Sequence, residues 1–121
     1  MHRTAWLGVA ALNALVAMLV GLVAVFVVFD VPRVNANLLL AAGASFQMAH
    51  ALAIIGLCGL GWRRDNIAWL FFYGILLFSG SLYMRALGAG PPVLILSVLG
   101  ALLLLLGWLA LAWSSLTSPR A

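Results

Sequence analysis

The chain alternates between four long apolar runs and three short polar links. The runs extend from Trp6 to Phe29, Leu38 to Trp62, Ile67 to Met84 and Val93 to Trp113, each close to or beyond the roughly 20 residues with which a helix crosses about 30 Å of hydrocarbon. The links carry residues that stop and start helices. In DVPRVNAN, Asp30 to Asn37, Pro32 and two asparagines end one run and open the next. RRDN, Arg63 to Asn66, offers Asp65 or Asn66 as an N-cap, and GAGPP, Gly88 to Pro92, puts proline where a first helical turn tolerates it. Links this short make successive helices antiparallel neighbours. The pattern predicts an all-α membrane protein: one integral domain over residues 1–121, an up-down-up-down four-helix bundle with helices at about 6–29, 38–62, 67–87 and 93–114.

Hydrophobic residues fill 67% of the 121 positions and charged residues 7%, too little polar surface to wrap a water-soluble globule. The first run is longer than the apolar region of a secretory signal and shows no small-residue cleavage pattern before Asp30, so a retained helix is expected. Net charge is +4, yet the arginines are scattered over helix ends without a contiguous patch, which argues against nucleic acid as a partner. Arg3, Arg63, Arg64 and Arg120 fall on one side of the predicted bundle, Arg33 and Arg85 on the other. The positive-inside rule then places both termini in the cytoplasm. The absence of lysine suggests a GC-rich bacterial genome, and the bacterial inner membrane is the expected location of this multi-pass chain.

Small residues mark packing faces. Ala10, Ala14, Ala17, Gly21 and Ala24 recur at intervals of four and three along the first helix, a seam at which another backbone approaches closely. In the second helix Gly43, Gln47, His50, Ile54 and Leu57 share one face. The fourth is apolar all round apart from glycine and reads as lipid-exposed over much of its circumference. Trp6, Trp62, Trp69, Trp108 and Trp113 are expected near the cytoplasmic interface.

Gln47 and His50 are the informative positions, because a polar group near the bilayer midplane is costly without a partner. Gln47 and Ser79 lie at similar depth from the outer ends of their helices, and FSGSLYMR, Phe78 to Arg85, continues outward through Ser81 and Tyr83 to Arg85, which can snorkel to the surface. Gln47, His50, Ser79, Ser81, Tyr83 and Arg85 thus form a candidate intramembrane polar cluster with two readings. One is a half-channel or pocket for a proton or small solute. The other is a set of hydrogen bonds to the third helix that fixes register, with Ser79-Gly80-Ser81 permitting close approach. Asn13 in the first helix fits either. No metal site is expected: His2 belongs at the wrong depth to pair with His50, Cys58 lies two turns away, and no carboxylate falls inside a span. A haem held between two copies of His50 stays open. Hydrolase, phosphate-loop and metalloprotease patterns are absent, so no catalytic residue and no cofactor are assigned.

The stretches FQMAHALAIIGL, AWLFFYGILLFSGSLYMRALG and GWLALAW, within Phe46 to Trp113, resemble the small bacterial membrane proteins of domain of unknown function 423, whose eukaryotic branch is called transmembrane protein 256. In that family the second-helix histidine corresponds to His50, the preceding glutamine to Gln47, and the serine-glycine-serine-leucine-tyrosine run to Ser79 through Tyr83. Two departures stand out. Where the family has a glycine- and alanine-rich segment ending in histidine, this chain has VAVFVVFDVPRV, and LILSVLG replaces a threonine-proline motif. The resemblance implies a four-helix membrane protein without an established activity.

These features lead to the expectation of a non-enzymatic accessory or self-associating subunit, whose partners are the lipid bilayer and either itself or a larger membrane complex met through small-residue seams. Two alternatives stand beside it: a small transporter or channel using the His50 face, and a quinone- or haem-binding redox accessory.

Overall fold

The computed structural model describes residues 2–60 and 65–117. Four helices, α1 (Arg3–Phe26), α2 (Ala36–Gly59), α3 (Asp65–Ala86) and α4 (Leu94–Thr117), carry the chain, and each is long and apolar enough to cross a membrane. A single 3-10 turn, Pro91–Val93, leads into α4. α1 packs on α2, α2 on α3 and α3 on α4, so the helices follow one another in space as they do in sequence. α2 and α3 form the inner pair, with 39% and 44% of their apolar windows buried against 17% for each outer helix. The starts of α1 and α3 share one end of the bundle with the end of α2, where Trp6 meets Asp65 and Cys58 meets the Arg3 carbonyl.

Helix limits depart from the expected ranges where side chains cap the backbone. α1 stops at Phe26, three residues short of Phe29, and Val27 is extended. Asn37 supplies to the end of α1 what another turn would have given. Its Nδ2 donates to the Ala24 and Val27 carbonyls at 2.9 and 2.6 Å, and its Oδ1 accepts from the Phe29 N–H at 3.2 Å. Asn35 accepts from the Leu38 N–H at 3.1 Å and starts α2 at Ala36, two residues earlier than expected. Ahead of the asparagines, the Val34 N–H closes a turn on the Val31 carbonyl around Pro32 and Arg33, the latter at φ 61.

α3 ends in a Schellman arrangement. The Ala89 N–H reaches the Met84 carbonyl and the Gly88 N–H the Arg85 carbonyl, with Gly88 at φ 107 where a side chain would be strained. α4 runs to Thr117, three residues past the expected 114. Asp65 is the first residue of α3, and the residues that precede it, like the expected end of the second helix at Trp62, lie outside the described ones.

Two apolar clusters hold the helices together. The larger joins Trp6 and Ala10 of α1 to Ile54 and Leu57 of α2, Phe71 and Ile75 of α3 and Leu104 of α4. The smaller joins Ala24, Ala36, Leu40 and Ala86 near the other end. Within the α1 seam, Ala10, Ala17 and Ala24 are buried and Ala14 and Gly21 partly so; a Cβ on Gly21 would meet the Ala44 Cβ at 3.9 Å. The seam is therefore occupied by α2 of the same chain. α3 and α4 meet most tightly at Gly100, where a methyl group would stand 2.8 Å from the Phe78 Cα and 2.9 Å from the Gly74 carbonyl oxygen. Only a residue without Cβ lets these two backbones approach this closely.

Candidate functional site

The polar side chains inside the bundle divide into two hydrogen-bonded sets that meet on α2. The first spans α1, α2 and α3. Asn13 Nδ2 donates to the Val9 carbonyl at 3.0 Å, Gln47 Nε2 donates to Asn13 Oδ1 at 3.1 Å, and Tyr83 Oη donates to Gln47 Oε1 at 2.8 Å. The order is forced from one end. A carbonyl only accepts, so the Asn13 amine faces Val9 and its oxygen faces Gln47; the Gln47 amine must then face Asn13, leaving its oxygen to Tyr83. Ser79 donates to the Gly43 carbonyl at 2.7 Å. Gly43 lies under the phenol ring, where a Cβ would come within 2.5 Å of Tyr83 Cε1.

The geometry corrects the expected pairing of Gln47 with Ser79. Side chains lean toward the N-terminus of their own helix, and α2 and α3 are antiparallel, so Gln47 leans toward the start of α2 and Tyr83 toward the start of α3. The two tips meet across several residues of depth. Ser79 is left level with Gly43.

The second set joins α2 to α4. The His50 Nδ1 lies 2.7 Å from the Phe46 carbonyl, and Trp108 Nε1 donates to His50 Nε2 at 2.9 Å. An indole N–H cannot accept, so Nε2 bears the lone pair and the ring proton sits on Nδ1, donated to Phe46. Both nitrogens of a neutral imidazole are thereby engaged. The ring is 5% exposed and is enclosed by Phe46, Phe71 and Trp108, with centroids at 6.2, 5.5 and 5.8 Å. His50 therefore bonds to its own helix and to the fourth, and not to the third as expected. Trp108, expected at the interface, points its N–H inward to His50 while the residue stays 45% exposed. Trp6, expected there too, is buried against Trp69 and Phe72, with its N–H on Asp65.

Two members of the candidate cluster stand apart from both sets. Ser81 is buried but donates to the Phe78 carbonyl of its own helix at 2.9 Å, and Arg85 donates to the Ala89 carbonyl at 2.8 Å, bracing the end of α3. The line drawn from Arg85 through Ser81 to His50 is thus not continuous. Among the described residues, no buried side-chain nitrogen or oxygen lacks a hydrogen-bond partner, and no three His, Cys, Asp or Glu residues gather as a metal site.

Trp108 was the partner that reading by residue type missed. Position within the helix reveals it: His50 is the fifteenth residue of the 24-residue α2 and Trp108 the fifteenth of the 24-residue α4. In an up-down-up-down bundle these helices run parallel, so equal ordinal position means equal depth.

Comparison with known proteins supplies a family. The family model described as protein of unknown function (DUF423) matches residues 30–103. A UPF0382 membrane protein of Haemophilus influenzae is 39% identical over 83 residues, 63% of this chain and 64% of its own. One from Staphylococcus epidermidis is 39% identical over 83 residues, covering 60% and 62%, and one from Staphylococcus saprophyticus is 35% identical over 71 residues, covering 55% and 59%. The matched stretch spans a little under two thirds of these relatives' length. No solved structure matches.

Proposed function

The chain belongs to the DUF423 family of proteins of unknown function and is a multi-pass membrane protein, and we propose that it acts without catalysis of its own, as an accessory or self-associating subunit of the bacterial inner membrane. The observation that carries this reading is the closure of the polar core. Tyr83, Gln47 and Asn13 form a chain of donors that ends on the Val9 carbonyl, a terminus that accepts and cannot pass a proton on. His50 has both nitrogens engaged. Such groups fix helix register; they leave no ligand position for haem and no relay for a transported proton.

Because α2 occupies the Ala10 to Ala24 seam, association in this reading falls to the outward sides of α1 and α4, where Leu15, Leu19 and Leu22, and Leu102, Leu105 and Leu109, are exposed. Ala17→Leu is for the same reason no test of assembly, since it strikes the α1–α2 contact first. The test is purification of the tagged full chain from gently solubilised native membranes with quantitative identification of what accompanies it. A stoichiometric protein, whether a second copy or another subunit, is expected. A monomer that drives solute flux in liposomes, lost in Tyr83→Phe, overturns the proposal.

A further inference from the structure

Beyond the His50–Trp108 bond, toward their C-terminal ends, α2 and α4 leave a groove of about 360 Å³ between them, walled by Ala53, Gly56 and Leu60 on one side and Trp108, Leu111 and Ser115 on the other. Its volume falls within the range of small-molecule sites, about 300–1,000 Å³. Its chemistry is narrow. The Trp108 N–H is committed to His50 and the Ser115 hydroxyl to the Leu111 carbonyl, so the walls offer almost nothing to a polar head and a good fit to hydrocarbon. A quinone ring would find no donor for its carbonyls there.

An empty groove would forfeit the dispersion contacts of its lining, and within a bilayer the abundant filler is a lipid chain. Apolar surface alone does not select one lipid over another, since lipid tails are as apolar as leucine. Charge does. The chain is net +4 with two acidic residues, and Arg3 opens α1 at the same end of the bundle as the groove. Basic residues at the edge of a span attract anionic headgroups. We infer that the α2–α4 groove holds one acyl chain of an anionic glycerophospholipid, with His50 acting as a positioning residue that fixes the Trp108 wall.

The test uses the full chain reconstituted in vesicles of phosphatidylcholine with a minor share of phosphatidylglycerol bearing the same acyl chains, re-extracted in mild detergent and weighed by native mass spectrometry. One phosphatidylglycerol retained per chain, enriched over its share in the vesicle, is expected. Gly56→Leu fills the groove, and the space beside Gly56 is open for at least 4 Å around an added Cβ, so this variant keeps its far-ultraviolet circular dichroism and loses the lipid. Should it fail to fold, Ser115→Leu, at an exposed position of the same groove, takes its place. Equal retention by the filled variant, a wild-type chain without lipid, or retention without preference for phosphatidylglycerol overturns the inference.

Discussion

Trp108→Phe keeps an aromatic ring beside His50 but removes the indole N–H that donates to Nε2 at 2.9 Å, together with part of the ring volume. What remains is a lone pair on a ring that is 5% exposed, with its other nitrogen already held by the Phe46 carbonyl. A buried acceptor left unpaired costs about 1–3 kcal/mol in soluble proteins. Hydrogen bonds between membrane helices measure lower, about 0.6 kcal/mol on average and up to about 1.7, because the chain unfolded in lipid or detergent finds other partners. The enclosure of His50 by three aromatic rings places this site toward the upper end, at about 1.5 kcal/mol. The assay is unfolding by sodium dodecyl sulfate in mixed micelles, followed by far-ultraviolet circular dichroism because the substitution alters tryptophan emission. A double-mutant cycle separates the bond from the lost ring volume: in a His50→Leu background no acceptor remains, and Trp108→Phe should cost about 1.5 kcal/mol less than in the wild-type chain. Equal costs in the two backgrounds would refute the assignment of the α2–α4 link to this hydrogen bond.

Nitrogen-15 NMR of the labelled histidine should show the neutral tautomer protonated at Nδ1, and a doubly protonated ring at neutral pH would contradict the geometry. Tyr83→Phe breaks the link to Gln47 and should cost about 0.6–1.7 kcal/mol in the same unfolding assay, whereas Ser81→Ala, which removes only a bond to its own helix, should be near neutral. Gly100→Ala forces the α3 and α4 backbones apart and should destabilise by about 1–3 kcal/mol, while Gly80→Ala, with nothing within 4 Å of the added carbon, should be neutral or gain up to about 1 kcal/mol of helix propensity. Asn37→Ala should cost about 0.5–2 kcal/mol and speed hydrogen exchange at the Phe29 amide, which loses its acceptor; unchanged exchange would show that another group caps α1.

Segmentation was legible because the bilayer imposes it: a span must be long, apolar and closed by turn chemistry, and DVPRVNAN and GAGPP carry that chemistry in their own residues. Even there, the division of labour between Asn35 and Asn37 was not, since both read as helix-boundary residues and only the fold shows one starting α2 while the other reaches back to finish α1. The polar cluster was legible as a set of expensive residues but not as a set of pairs. Depth counted along Cα atoms ignores the lean and length of side chains, which is why Gln47 found Tyr83 in place of Ser79. Trp108 was hidden by its type, because tryptophan in a membrane protein ordinarily sits among headgroups. The α1 seam was visible as a packing face, and which helix it faces depends on topology.

The bond between His50 and Trp108 also has a history in time. The two residues are 58 positions apart, so at about 5–20 residues per second the acceptor is synthesised roughly 3–12 s before its donor. During translation the first three spans can assemble their Asn13–Gln47–Tyr83 chain while His50 still faces lipid unsatisfied. A nascent chain stalled before the fourth span therefore carries, besides the uncovered α3 face, an orphaned His50 nitrogen in the membrane, and arrival of Trp108 is the event that satisfies it.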